Sequence, residues 1–189
     1  MSRSLGRALP AELRRRLSQS DLGPLLGRGL PFVTLSDDGS LHPMLCSYLE
    51  WLALDERTLR LVIAGGSRSA RNLEERSVGT LLLVEPDRTV YVKCRAAGAP
   101  LRVADLARFT LAVDDVLADS PEETEGDVRI VSGIRYGPAP AMDDARVRAV
   151  LVALRMGSPP LTLPSPEGRG NCTSSYTSSR SVPMTSGPG

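Results

Sequence analysis

The segment LVIAGGSRSARNL, residues 61–73, holds the residue types and spacing with the clearest chemical use in this chain. An apolar run, Leu61 to Ala64, stops at Gly65 and Gly66. Ser67, Arg68 and Ser69 then open a short helical pattern in which Ala70 and Leu73 share a face. A strand that ends at glycines and restarts as a helix leaves the first helical N–H groups without intrahelical partners. Those donors, the positive end of the helix dipole, two hydroxyls and a guanidinium together suit an anion, and a phosphate above all. The same residues also make an ordinary turn, with Ser67 or Ser69 as the helix cap and Arg68 in solvent. Loops of Gly, Ser and Arg are common, so the residue types alone leave both uses open.

Other candidates are fewer. His42 is the single histidine; its ordinary pKa near neutrality suits a proton donor or a haem ligand. A lone histidine beside Pro43 in a hairpin is also a normal structural or solvated residue. Cys46, Cys94 and Cys172 lie far apart, without a CxxC pair or a second histidine, so no zinc or other metal site is expected. Cys46 and Cys94 sit in apolar runs, where a free thiol packs as a small hydrophobe. Nothing basic neighbours Cys46 in sequence to lower its pKa. A reduced, cytoplasmic protein is the expectation. Tyr48 and Trp51 can stack on a ring or fill a core, and core is the expected use. Asp37 and Asp38 are adjacent turn residues rather than a catalytic carboxylate pair.

The elements that position these residues are mostly short strands. A helix is expected over Ala11–Leu17, with Pro10 before it and Leu13 and Leu17 four apart. Strands are expected at residues 31–36 and 41–54, joined by an Asp37-Asp38-Gly39-Ser40 turn, with Pro43 marking an edge or a bend. A third strand over residues 58–64 leads into the glycine turn and a helix ending near Arg76. Residues 78–84 (VGTLLLV) are apolar enough for a strand buried on both faces. Further period-two strands fall at residues 89–96, 107–117 and 128–136, with an acidic surface loop at 120–126. Val147, Val150, Leu151 and Leu154 then give the face of a closing helix, with Asp143 and Asp144 at its start and Arg155 at its end.

With 189 residues the chain is long enough for one domain with a real core, and 41% hydrophobic residues is average for a globular protein. A formal net charge of +1 argues against nucleic-acid binding through bulk positive charge. No run has the length of a transmembrane helix, and the basic start lacks the apolar stretch of a signal peptide. Residues 1–29 read as a helical lead-in and 30–156 as the folded domain. Residues 157–189 are mostly Ser, Pro, Gly and Thr without apolar period, the composition of a disordered low-complexity tail. Strands at hairpin spacing without βαβ alternation favour a closed or split antiparallel barrel, mostly β with short flanking helices. A Rossmann fold is disfavoured, because Gly65-Gly66-Ser67-Arg68 is not GxGxxG.

The ordered set of Pro31-Phe32-Val33-Thr34-Leu35, Asp38-Gly39, His42-Pro43, Ser67-Arg68, Asn72-Leu73 and the run 78–84 resembles the pyridoxamine 5′-phosphate oxidase-like family of FMN-binding split barrels. The likeness is best over residues 30–97. It implies a six-stranded antiparallel Greek-key split barrel that dimerises, with FMN in a groove between subunits. Carried over residue by residue, it implies that Ser67, Arg68 and Ser69 hold the phosphate. Met44, Leu45, Cys46 and Ser47 would line the flavin ring with their backbone, and Val62 and Ile63 would contribute beside them. Two family cations are replaced, a lysine by Ser69 and an arginine by Met44. Arg71 can substitute for one, since residues three apart share a helix face. The Arg-x-His segment by which true pyridoxamine phosphate oxidases hold their substrate is absent, so that activity is not expected. The expected role is a flavin-dependent oxidoreductase with a small-molecule substrate, and FMN or a deazaflavin as cofactor. A non-catalytic flavin-binding or sensing protein and a haem-binding relative using His42 are the alternatives.

Overall fold

The computed structural model describes residues 2–86, 88–121 and 129–157. Strand β9, Leu106–Asp119, is the spine of the molecule. Its fourteen residues are long enough to hold different neighbours at its two ends. Along one edge it pairs with β7 (Arg88–Ala96) and then β8 (Leu101–Val103). Along the other it pairs with β5 (Thr58–Ala64) and then β1 (Arg3–Gly6). All pairings are antiparallel. The sheet runs β10-β2-β6-β7-β9-β5-β4, where β2 is Arg28–Leu35, β4 Trp51–Ala53, β6 Val78–Glu85 and β10 Ile134–Arg135. Strand β3, Leu41–Ser47, attaches to β2. The result is a curled half-barrel with ten strands among the described residues, four more than the six that the resemblance implies.

The core fills the inside of the curl. Phe32, Leu59, Leu61, Leu81, Leu83, Val92, Phe109, Leu111 and Val116 are all buried there. Phe32 and Trp51 meet edge to face, with ring centroids 5.1 Å apart. Gly79 is required by this packing, because a Cβ on it would lie 2.4 Å from Phe32 Cζ. Residues of the N-terminal stretch join the same core: Leu9, Leu13, Leu17, Leu22 and Leu25 are buried in it. Helix α1 is Ala11–Leu17, as expected.

Several sequence expectations are corrected. The strand expected over residues 41–54 breaks after Ser47 into a 3-10 turn, Tyr48–Glu50, before β4 resumes. The cause is a capping box: Ser47 N donates to Glu50 Oε2 at 2.5 Å and Ser47 caps the turn in return. The run 78–84 is not buried on both faces. Leu81 and Leu83 point into the core, whereas Val78, Thr80, Leu82 and Val84 are half-buried on the outer face. The strand expected at 128–136 is reduced to β10, and Val128 with most of the 120–126 loop lies outside the described residues. Residues 158–189, the low-complexity stretch, also lie outside them.

Two helices complete the domain. Helix α2, Arg68–Arg76, is capped by Ser67, whose hydroxyl accepts from Ala70 N. Helix α3, Ala145–Arg155, is capped by Asp144, which accepts from Arg146 N and Val147 N. Val150, Ala153 and Leu154 lay α3 on Val62 and Leu106, on the outer face of β5 and β9. Beneath its last turn, Arg60 Nη1 donates to the carbonyls of Leu154 (2.7 Å) and Met156 (3.1 Å), and Arg108 also donates to Met156. Cations at a helix C-terminus meet its unsatisfied carbonyls and the negative end of its dipole.

Candidate functional site

The turn from β5 to α2 is held from several sides. Gly65 N donates to Asp105 O at 2.7 Å, and Gly65 O accepts from Arg102 Nη1 at 2.9 Å. Arg102 also pairs with Glu74 on α2. Buried Asn72 donates to Thr34 Oγ1 (2.9 Å) and Ser36 Oγ (3.3 Å), tying α2 to the end of β2. Arg76 reaches the carbonyl of Asp37. The helix start is thereby fixed beside the β2–β3 hairpin, whose turn is closed by Gly39 at φ +82° and by Asp38 Oδ1 accepting from Ser40. Asp38 is held below the usual carboxylate range, chiefly by the Ser40 hydroxyl and amide and in smaller part by the Arg68 guanidinium.

Among the described residues the backbone N–H groups of Gly66, Arg68 and Ser69 have no protein partner. Nothing lies within 4 Å of where a Cβ on Gly66 would sit, so the turn is open on that side. Arg68 and Arg71 are exposed and unpaired among the described residues. Ser69 is different: the whole residue is 2% exposed, so neither its hydroxyl nor its amide lies open to solvent. The exposed amides of Gly66 and Arg68 and the two guanidiniums make an arrangement suited to a phosphate.

The other expected site residues divide by exposure. β3 is paired on one edge only among the described residues, so the second backbone edge of Met44, Leu45, Cys46 and Ser47 is unused by the sheet. Leu45 points outward at 43% exposure, Met44 is partly buried against the core, and Cys46 is fully buried. Burial pushes the Cys46 thiol well above its ordinary pKa and that of Cys94 up to about 12, so neither is a thiolate near neutral pH. Ile63 lies in the main core and Val62 beneath α3, so neither presents its side chain to a ligand. His42 is half-buried opposite Thr34 in the hairpin. Tyr48 and Trp51 are buried core residues; Tyr48 leans toward Glu85, which Arg16 also contacts.

Sequence reasoning missed Glu50 and Arg102, and it took Asn72 only as part of the resemblance, without its tie to β2. Ser47-Tyr48-Leu49-Glu50 has the spacing of a capping box, a legible signal for the first. The other two act across distances that no local pattern reports.

No family model matches the chain, and no curated protein matches it by sequence. Several solved structures are similar to it. An FMN-binding protein from Syntrophomonas wolfei subsp. wolfei has 12% identity and a TM-score of 0.45, over 59% of this chain and 91% of that one. The styrene monooxygenase flavin reductase of Pseudomonas putida S12 has 13% identity and a TM-score of 0.40, over 50% and 81%. A candidate pyridoxamine 5′-phosphate oxidase from Lactobacillus delbrueckii has 13% identity and a TM-score of 0.45, over 60% and 97%. The family named from the sequence is represented among them. No helix among the described residues is long and apolar enough to cross a membrane.

Proposed function

We propose that this chain binds FMN as a member of the pyridoxamine 5′-phosphate oxidase-like split barrels and serves as a flavin-dependent oxidoreductase on a small-molecule substrate. The observation that carries this reading is the cradle at the start of α2: free, exposed amides at Gly66 and Arg68, with Arg68 and Arg71 unpaired beside them among the described residues. Arg68 and Arg71 would neutralise the flavin phosphate, and the amides would orient it. The backbone edge of Met44–Ser47 that the sheet leaves unused, where Cys46 O accepts from Tyr136 and Ser47 N donates to Glu50, would lie along the ring. When bound, the flavin supplies the electron transfer; the protein supplies position and electrostatics. With Cys46 buried and protonated, no side chain of that β3 segment serves as an acid or base. Pyridoxamine phosphate oxidation is not proposed, for want of the Arg-x-His segment.

The absorption spectrum of the purified protein tests the cofactor. An oxidised-flavin spectrum with FMN in the released ligand is expected. A deazaflavin or haem spectrum would replace FMN by that group, and failure of the apoprotein to take up added FMN would overturn the reading. Turnover with a reduced nicotinamide separates an oxidoreductase from a flavin-binding protein without turnover.

We also propose a homodimer. Tyr48 and Trp51 are core residues and supply none of its surface. The outer face of β3, β2 and β6 is the candidate. Leu41 (72% exposed) is opposite Leu35, Leu45 is opposite Pro31, and Val33 lies between Pro43 and Thr80, with Leu82 and Val84 on the same face. Contiguous exposed apolar surface of this kind marks an association site. Sedimentation of the flavin-loaded protein is expected to give a dimer, and Val33→Arg a monomer. A monomeric wild type would overturn the assignment.

A further inference from the structure

Between the 3-10 turn at Tyr48–Glu50 and the first turns of α3 lies a cleft of about 330 Å³. This is the small end of the range for ligand pockets, and more than twice the space that holds a benzene ring. Leu49, Ala141, Val147 and Val150 give it apolar walls, and Glu50 and Arg146 also line it. Glu50 is half-buried, and its carboxylate is only half engaged. Oε2 accepts from Ser47 N at 2.5 Å and Ser47 Oγ at 3.3 Å, whereas Oε1 accepts no hydrogen bond among the described residues. Arg146 is solvent-exposed and forms no ion pair with Glu50 among the described residues. The remaining carboxylate of the lining, Asp144, uses Oδ1 to cap α3.

We propose that this cleft binds a small apolar amine, its body on Leu49, Val147 and Val150 and its ammonium donating to Glu50 Oε1. An amine fits better than an acid. The half-buried group with spare acceptor capacity is a carboxylate, and two carboxylates stand in the lining against one guanidinium. Burial pushes the Glu50 carboxyl above its ordinary value, against the lowering effects of Ser47 and of Arg146. An ammonium at Oε1 offsets that desolvation with a charge-assisted hydrogen bond in a partly dry site. The proposal does not depend on flavin binding, and its test contains no flavin.

The experiment is calorimetric titration of the full chain at neutral pH with phenethylamine and, separately, phenylacetate, which keeps the aromatic ring and reverses the charge. Phenethylamine is expected to saturate one site and phenylacetate to bind at least about tenfold more weakly. Glu50→Gln retains the cap, because a glutamine carbonyl also accepts from Ser47. It is expected to weaken phenethylamine by about tenfold or more without weakening phenylacetate. Ala141→Trp starts from an exposed residue and fills the cleft; it should abolish amine binding while the thermal midpoint holds. Equal affinity for amine and acid would overturn the proposal. So would an unaffected Glu50→Gln, amine binding unchanged in a folded Ala141→Trp, or no saturable amine binding into the millimolar range.

Discussion

Arg68→Ala is expected to weaken FMN binding by roughly one to two orders of magnitude, because a charge-assisted hydrogen bond to phosphate is worth about 1.5–3 kcal/mol and each 1.4 kcal/mol is tenfold. Arg68 is exposed and has no ion pair among the described residues, so its removal leaves no buried partner stranded. Ser69 cannot compensate through its side chain, which is buried. Arg71 can in part, one turn further along the exposed side of α2, so the double replacement Arg68→Ala/Arg71→Ala should lose more than either alone. Riboflavin, which lacks the phosphate, should bind the wild type weakly and be insensitive to these changes. Titrating both flavins against wild type and variants decides the matter. Unchanged FMN affinity would return Arg68 to the role of a solvated turn residue, and parallel losses for FMN and riboflavin would remove the phosphate from the argument.

Trp51→Ala costs about 3–5 kcal/mol of folding stability, the usual range for deleting a large buried aromatic. Trp51 is fully buried, meets Phe32 edge to face at 5.1 Å, and begins β4 opposite Leu61. Its carbonyl accepts from Gln19 Nε2 at 3.0 Å, which ties the N-terminal stretch to the barrel. In a domain of this size the loss lowers the melting temperature by on the order of 10 °C. Trp51→Phe keeps much of the volume and should cost far less while leaving FMN affinity unchanged. Thermal unfolding of the two variants, with flavin titration of the second, separates a core tryptophan from one that stacks on the ring. A melting temperature within about two degrees of wild type for Trp51→Ala would exclude the core role.

The local events at the candidate site were legible in the residues. An apolar run, two glycines and a serine specify a strand, a turn and a capped helix within a few positions, and β5, Ser67 and α2 stand where that pattern puts them. The Asp38-Gly39 hairpin and the 3.6-residue period of Val147, Val150 and Leu154 were equally readable, because hydrogen bonds and side-chain periodicity along one element depend on near neighbours.

Tertiary structure decided what those elements face. Period two reports that a strand has two sides, not what covers each; the outer face of β6 is left half-covered, while that of β5 is sealed by α3, a helix more than eighty residues further on. The inward turn of Ser69, the withdrawal of Tyr48 and Trp51 into the core, and the ties from Asn72 to β2 and from Arg102 to Gly65 all depend on such distant partners. The cleft at Glu50 exists because a local capping box stops β3 where α3 later passes. A capping box forms over four residues and can be read in a sequence; the space it leaves beside a helix a hundred residues away arises only when the chain packs.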